Sequence, residues 1–393
     1  MYRIKMPDEV KKIIDTLYSA GYEAYIVGGC VRDSLLGRVP DDYDITTSAK
    51  PDEIKSLFSK TVDTGIEHGT VAVIENGKPY EVTTFRIDGE YKDNRHPVSV
   101  LYTANVRDDL ARRDFTVNAL AYNDKEGIVD VFSGIEDLKN GIIRCVRNPE
   151  ERFAEDALRV LRGIRFSSVL GFEIEENTAE AIVKFAPNLR DVSSERIYTE
   201  WKKLLSGRDA YDVIIKFKGV VDVFAPELSG TEMPTRASFE SLNTEDRQIV
   251  LFAMCSASSE TFETFAKRMK MDSKTRDTGI SVLNNIKCFE ESTTLDPRTF
   301  IIGKSDEVSL KSAKIAEAIG ACGFGIYESV RLLIERDAPR RVAQLAVGGK
   351  ELMSVGIFGK EIGKFLNDIL SLVALEKLDN DSKSILNYVL KNK

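Results

Sequence analysis

The chain has 393 residues, 42% hydrophobic and 30% charged, which is enough apolar material for two or three domains with a substantial core. A net charge of −8 argues against a protein that coats nucleic acid indiscriminately, although a local basic cleft can still hold phosphate. Two histidines and five scattered cysteines without a CxxC pair exclude a His-rich metal centre and a disulfide framework. The metal chemistry left is a hard cation on oxygen ligands, and a reduced cytoplasm is the expected setting.

In chain order, "MYRIKMPDEVKKIIDTLYSAGY" reads as an amphipathic helix rather than a signal peptide, and no run of eighteen apolar residues predicts a membrane span. Short β-rich runs follow: "AYIVGG", "DYDITT", "TVAVIENGKPYEVTTFRI" and "IVDVF", with Asn76-Gly77 marking a hairpin turn. In "IVGGCVRDSLLGRVPDDYDITTSA", Gly28 and Gly29 let backbone N–H groups approach phosphate, and Arg32 adds a fork of donors. If "DYDIT" is extended, Asp42 and Asp44 share a face and can share divalent cations, the arrangement a nucleoside triphosphate needs. A glycine turn beside a solvated strand end is the plain alternative. The polar stretch "RIDGEYKDNRHPVSVLYTAN" is either disordered or functional.

"DLARRDFTVNALAY" sets the guanidinium forks of Arg112 and Arg113 beside Asp114, a cluster suited to a triphosphate and a ribose hydroxyl. From about Asn148 the period becomes helical. In "EERFAEDALRVLRGIRF", Asp156 and Arg159 stand three apart on a predicted helix. That spacing is usual for a surface ion pair. It also lets a carboxylate accept from an exocyclic amine while a guanidinium donates to the adjacent ring nitrogen. Cytosine and adenine both present that edge, whereas uracil and guanine leave the protein groups unpaired.

Together these segments resemble the polymerase-β-like nucleotidyltransferase superfamily. The closer likeness is to the class II tRNA nucleotidyltransferases, or CCA-adding enzymes, and their bacterial poly(A) polymerase relatives. The resemblance covers residues 22–205. It implies an α+β chain whose N-terminal head (1–140, mixed sheet with helices) is followed by an all-helical neck (141–205) and by a helical body and tail (206–393) that grips tRNA. It places Mg²⁺ on Asp42 and Asp44, a third catalytic carboxylate on Glu81 with Thr83 and Phe85 on its face, and His68 near the site. By the same resemblance Arg113 faces the phosphates and Asp114 and Asn118 meet sugar hydroxyls. Asp156 and Arg159 read the base with Glu155 steadying the arginine, and Arg162 and Arg165 lie near the nucleotide. "SSERIYTEWKKLL" matches a last shared motif that braces the neck.

The implied activity is template-independent addition of CCA to the tRNA 3′ end from CTP and ATP, with no protein partner or membrane. An apparently full-length loop at 86–105 favours addition of the final A. Rivals are an A-adding enzyme or poly(A) polymerase on the same head, a non-catalytic RNA-binding protein, and a nucleotidyltransferase acting on a small molecule. "KRMKMDSKTR" and "RDAPRR" could meet phosphates or be solvated helix ends.

Overall fold

The computed structural model describes residues 3–89, 100–255, 258–291 and 295–393. It divides into two compact units, Met1–Pro226 and Glu227–Lys393.

The first unit opens with helix α1 (Asp8–Ser19), which buries Val10, Ile13, Ile14 and Leu17 on one stripe of helical period. Strand β1 (Ala24–Val27) leads into helix α2 (Gly29–Leu35), then β2 (Ile45–Thr47) and α3 (Pro51–Leu57). Strands β3 (Thr61–Gly65), β4 (Thr70–Glu75) and β5 (Lys78–Thr84) complete one side of the sheet. Asn76 and Gly77 both take positive φ, 50° and 79°, which is the twist a tight hairpin between β4 and β5 requires. The segments β6 (Arg86–Asp88) and β7 (Val100–Tyr102) pair antiparallel, and half of the predicted polar loop, residues 90–99 with His96, lies outside the described residues.

Helix α4 (Val106–Ala111) returns the chain to β8 (Leu120–Asn123), and β9 (Gly127–Asp130) closes the sheet in the order β3-β4-β5-β2-β1-β8-β9. Only β2 and β5 run parallel, so the sheet is mixed. Tyr25, Val27, Leu110, Ala119, Ala121 and Val146 form the core beneath it. Phe85 belongs to that core, 6.2 Å from the Tyr25 ring, while Glu81 is exposed. The predicted common face for Glu81 and Phe85 therefore fails, because the chain leaves the strand after Thr84.

Helix α5 (Gly134–Asn140) and the two-residue strand β10 (Ile142–Ile143) precede α6 (Pro149–Glu155) and α7 (Leu158–Leu170). Strand β11 (Glu173–Ile174) pairs with β10, α8 (Glu176–Phe185) and α9 (Ser194–Leu205) follow, and Trp201 on α9 is fully buried with its ring 5.4 Å from that of Phe224. The single helix expected across Glu150–Phe166 is in fact two. Asp156 takes an extended backbone (φ −138°, ψ 104°), and its Oδ1 accepts the N–H of Leu158 at 3.0 Å. A short acidic side chain competes well for backbone donors, so it caps the new helix instead of continuing the old one.

The second unit is built from helices such as Thr244–Ala253, Ser258–Arg268, Ser273–Glu291, Asp306–Ala318 and Lys360–Ala374. Phe252 packs its ring against Phe262 and Phe265, with centroids 5.2 and 5.0 Å away. In its two basic stretches, Arg268 pairs with Glu227 and Arg340 with Asp306.

Candidate active site

The turn from β1 into α2 is the first element of the site. Gly28 stands at φ 80°, ψ −126°, a region closed to side-chain-bearing residues, and a Cβ there would lie 2.9 Å from Nη1 of Arg113. The glycine thus serves both the turn and the close approach of an arginine from another element.

Asp42 and Asp44 sit on the approach to β2 rather than inside it, since the strand begins at Ile45. The Asp44 carbonyl still accepts the Val27 N–H at 3.0 Å, so its backbone keeps sheet alignment. In the parallel register Ile45 opposes Val82, which sets Asp44 beside Glu81 one residue earlier on each strand. All three carboxylates are exposed. The pKa of Asp44 is pushed above the ordinary carboxylate value by loss of surrounding water. Arg113 pulls the other way and repulsion from Asp42 adds to the rise. Glu81 is raised as well, by desolvation, then by Asp44 and by Asp42. This accumulated negative charge, on hard oxygen donors, fits a divalent cation. Among the described residues no group of three or more His, Cys, Asp or Glu side chains is gathered tightly enough to cage a metal. A cation here would have two carboxylates and would take its remaining oxygens from substrate and water, the usual habit of Mg²⁺.

The two adjacent arginines do not turn to Asp114, as their order in the chain suggested. Both face Asp109, a residue to which sequence reasoning gave no role. Asp109 is fully buried and accepts from Arg112 Nε and Nη2 at 2.9 and 2.8 Å and from Arg113 Nη2 at 3.3 Å. The Thr46 hydroxyl is 3.4 Å away. Burial would raise the Asp109 pKa, but Arg112 and then Arg113 outweigh it and hold it below the ordinary value. The only sequence signal was spacing, an acid three and four residues ahead of two arginines.

Asp114 instead meets Arg162, 48 residues on, whose Nε and Nη2 lie 2.7 and 2.5 Å from its Oδ2. Asn118 donates to the other oxygen at 3.1 Å and in turn accepts from Arg32 Nη1 at 2.6 Å. Arg32 is completed by Asp33, at 2.9 and 2.8 Å. On the far side Arg162 lies 3.9 Å from Glu200, which accepts from Arg165 Nε at 2.8 Å. Arg32, Arg162 and Arg165 surround the Phe166 ring, with guanidinium carbons 5.2, 5.3 and 3.5 Å from its centre. Five of the sequence-predicted residues thereby form one connected network from α2 to α7. Burial again works against the Asp114 carboxylate. Arg162, the Asn118 amide and Arg159 prevail, so its pKa is held far below the usual range.

Asp156 and Arg159 are not a pair with each other. Asp156 Oδ2 accepts from Arg196 Nη2 at 2.8 Å, a partner on α9 that sequence reasoning missed. Arg159 Nη1 donates to Glu155 at 2.6 Å and to the Arg152 carbonyl at 3.2 Å, while Nη2 donates to the Arg112 carbonyl at 2.9 Å. Each group thus has a partner outside the helix they were expected to share, Arg196 for Asp156 and the Arg112 carbonyl for Arg159. His68 lies in an exposed single turn (Ile66–His68), and its carbonyl accepts from Arg86.

Residues 24–144 match the family profile described as "Poly A polymerase head domain", and residues 171–229 match "Probable RNA and SrmB- binding site of polymerase A". The chain is 38% identical to a CCA-adding enzyme of Ligilactobacillus salivarius, across 97% of this chain and 96% of that protein. It is 36% identical to a CCA-adding enzyme of Lactobacillus helveticus, covering 98% of both. Its structure is similar to that of the Bacillus stearothermophilus CCA-adding enzyme in complex with CTP, with a TM-score of 0.79 and 31% identity over 98% of each chain.

Proposed function

Because the chain belongs to the family of CCA-adding enzymes, we propose that the residues gathered between its head and neck carry out CCA addition in the following way. The protein is a nucleotidyltransferase that extends the 3′ end of tRNA with CTP and ATP and releases pyrophosphate. Asp42 and Asp44 hold Mg²⁺, and Glu81 beside them adds to the negative field that attracts it. The chemistry a bound ion supplies there is acidification of the attacking 3′-hydroxyl and neutralisation of the leaving pyrophosphate.

Arg113, fixed by Asp109 next to the Gly28 turn, meets the triphosphate together with Arg32 and the Gly29 N–H. Asp114 and Asn118 take the ribose hydroxyls. Asp156 and Arg159 read the base edge. Each Asp156 oxygen already accepts one bond and has a second lone pair for an exocyclic amine. Arg162 and Arg165 stiffen the wall behind them. No nucleic-acid template is required, because fixed protein groups present the edge a pairing base would offer. The neck (141–205) carries this recognition, and the helical remainder (206–393) grips tRNA. Such a reaction belongs in the cytoplasm, where five free cysteines also suit a reducing setting.

The observation that carries the reading is the unbroken chain Arg32–Asn118–Asp114–Arg162–Glu200–Arg165, which links the phosphate turn to the base-reading helix. The test is extension of a tRNA ending at the discriminator base, with CTP, ATP, UTP and GTP supplied singly and then CTP with ATP. Two C residues followed by one A are expected, and a long A tail or no product would refute it. Asp42→Ala should abolish extension with tRNA affinity retained. Asp156→Ala should relax the choice among nucleotides, and unchanged selectivity would sink the base-reading role.

A further inference from the structure

A second group of arginines lies beside the nucleotide network. Arg112, Arg147 and Arg152 line a cleft of about 240 Å³ with Ile87, Asp108 and Glu155. The acids there are already engaged, Asp108 by the Thr103 hydroxyl at 2.9 Å and Glu155 by Arg152 and Arg159. Arg112 is committed to Asp109. Among the described residues no ion pair engages Arg147, whose guanidinium carbon stands 5.9 Å from the centre of the Phe132 ring.

The Arg147 backbone is left-handed, φ 60°, although the residue carries a side chain. Residues with a side chain are uncommon in that region, and Arg147 is exposed, so its guanidinium is open to a ligand from solvent. The cleft also adjoins the base-reading arginine, because the carbonyls of Arg112 and Arg152 are the acceptors that hold Arg159. An anion seated there would lie next to the arginine assigned to the incoming base.

We infer that this cleft binds a backbone phosphate of the tRNA strand being extended, with Arg147 as its main cation. The inference rests on the tRNA-extending function proposed above and adds a subsite to it. One phosphate neutralised by one guanidinium makes binding salt-dependent in a countable way.

The test compares wild type with Arg147→Gly and Arg147→Lys, using a tRNA ending at the discriminator base and CTP. For Arg147→Gly the KM for tRNA should rise about fivefold and the salt slope of tRNA binding should flatten by about 0.7–0.9, the share of one contact. The KM for CTP should not move. Because glycine takes the left-handed conformation without strain, the unfolding midpoint followed by Trp201 fluorescence should stay level or rise. Arg147→Lys keeps the charge and should keep most of the slope. An unchanged KM for tRNA, a parallel rise in the KM for CTP, or a lowered midpoint in Arg147→Gly would each overturn the inference. Failure of the wild type to add C would instead overturn the underlying function.

Discussion

Replacing Asp114 by Asn keeps the shape of the side chain and removes its charge at the point where the segment after α4 is tied to α7. The carboxylate accepts two bonds from Arg162, at 2.7 and 2.5 Å, and is itself buried. Hydrogen bonds to a charged group contribute about 1.5–3 kcal/mol each, and breaking a buried pair from one side costs about 3–5 kcal/mol. Arg162 is 32% exposed and 3.9 Å from Glu200, so water and that second acid compensate part of the loss. The expected net cost is about 2–3 kcal/mol. Trp201 is the single tryptophan and lies buried in the first compact unit, so urea unfolding followed by its fluorescence reports on this unit.

The pH dependence has a definite sign. A carboxylate with a depressed folded pKa contributes stability that is fully present above its unfolded pKa, about 3.9, and is lost as pH falls toward the folded value. The gap between wild type and Asp114→Asn should therefore be flat from pH 8 to 5 and narrow below about pH 4. A gap under about 0.5 kcal/mol at pH 7, or one that widens below pH 4, would refute the assignment of this carboxylate as the ionised anchor of Arg162.

Gly28→Ala forces a Cβ into a strained region 2.9 Å from Arg113 Nη1, so the variant should lose about 1–3 kcal/mol and show a raised KM for both CTP and ATP. Steady-state kinetics with a chemical melt check this, and a neutral outcome would separate Arg113 from the turn. Asp44→Asn should stop extension yet stabilise the metal-free protein slightly, by roughly 0.5 kcal/mol or less once solvent screening of an exposed group is counted. The sign follows from the raised folded pKa of Asp44. Its contribution is present below the unfolded value near 3.9 and is lost as pH rises through the folded value, so the gain of the Asn variant should appear only above about pH 4. A variant less stable than wild type at pH 7 without metal would contradict the crowding of charge at the site.

The local motifs were legible because their chemistry is written within a few residues. The glycine turn, the Asn-Gly hairpin and the stripe of α1 each declare a backbone or a face by spacing alone. Harder to see were choices between equivalent local partners. Asp109 and Asp114 flank the same two arginines, and only the fold decides that the first keeps them while the second goes to Arg162. Periodicity ran through Asp156 without a break, and a single cap bond to Leu158 was enough to divide the helix.

Glu200 illustrates how far such reading extends. In α9 the buried stripe is Ile197, Glu200, Trp201, Leu204 and Leu205, so an acid occupies a position that the helical period assigns to the core. A charge there is costly unless a cation meets it, which means the sequence alone already demands a partner. Which arginine answers is a property of how α7 lies against α9, and the answer, Arg165 at 2.8 Å, stacked 3.5 Å from the Phe166 ring, is 35 residues away in the chain. Sequence can register the need for such a pair, and tertiary packing selects the member that satisfies it.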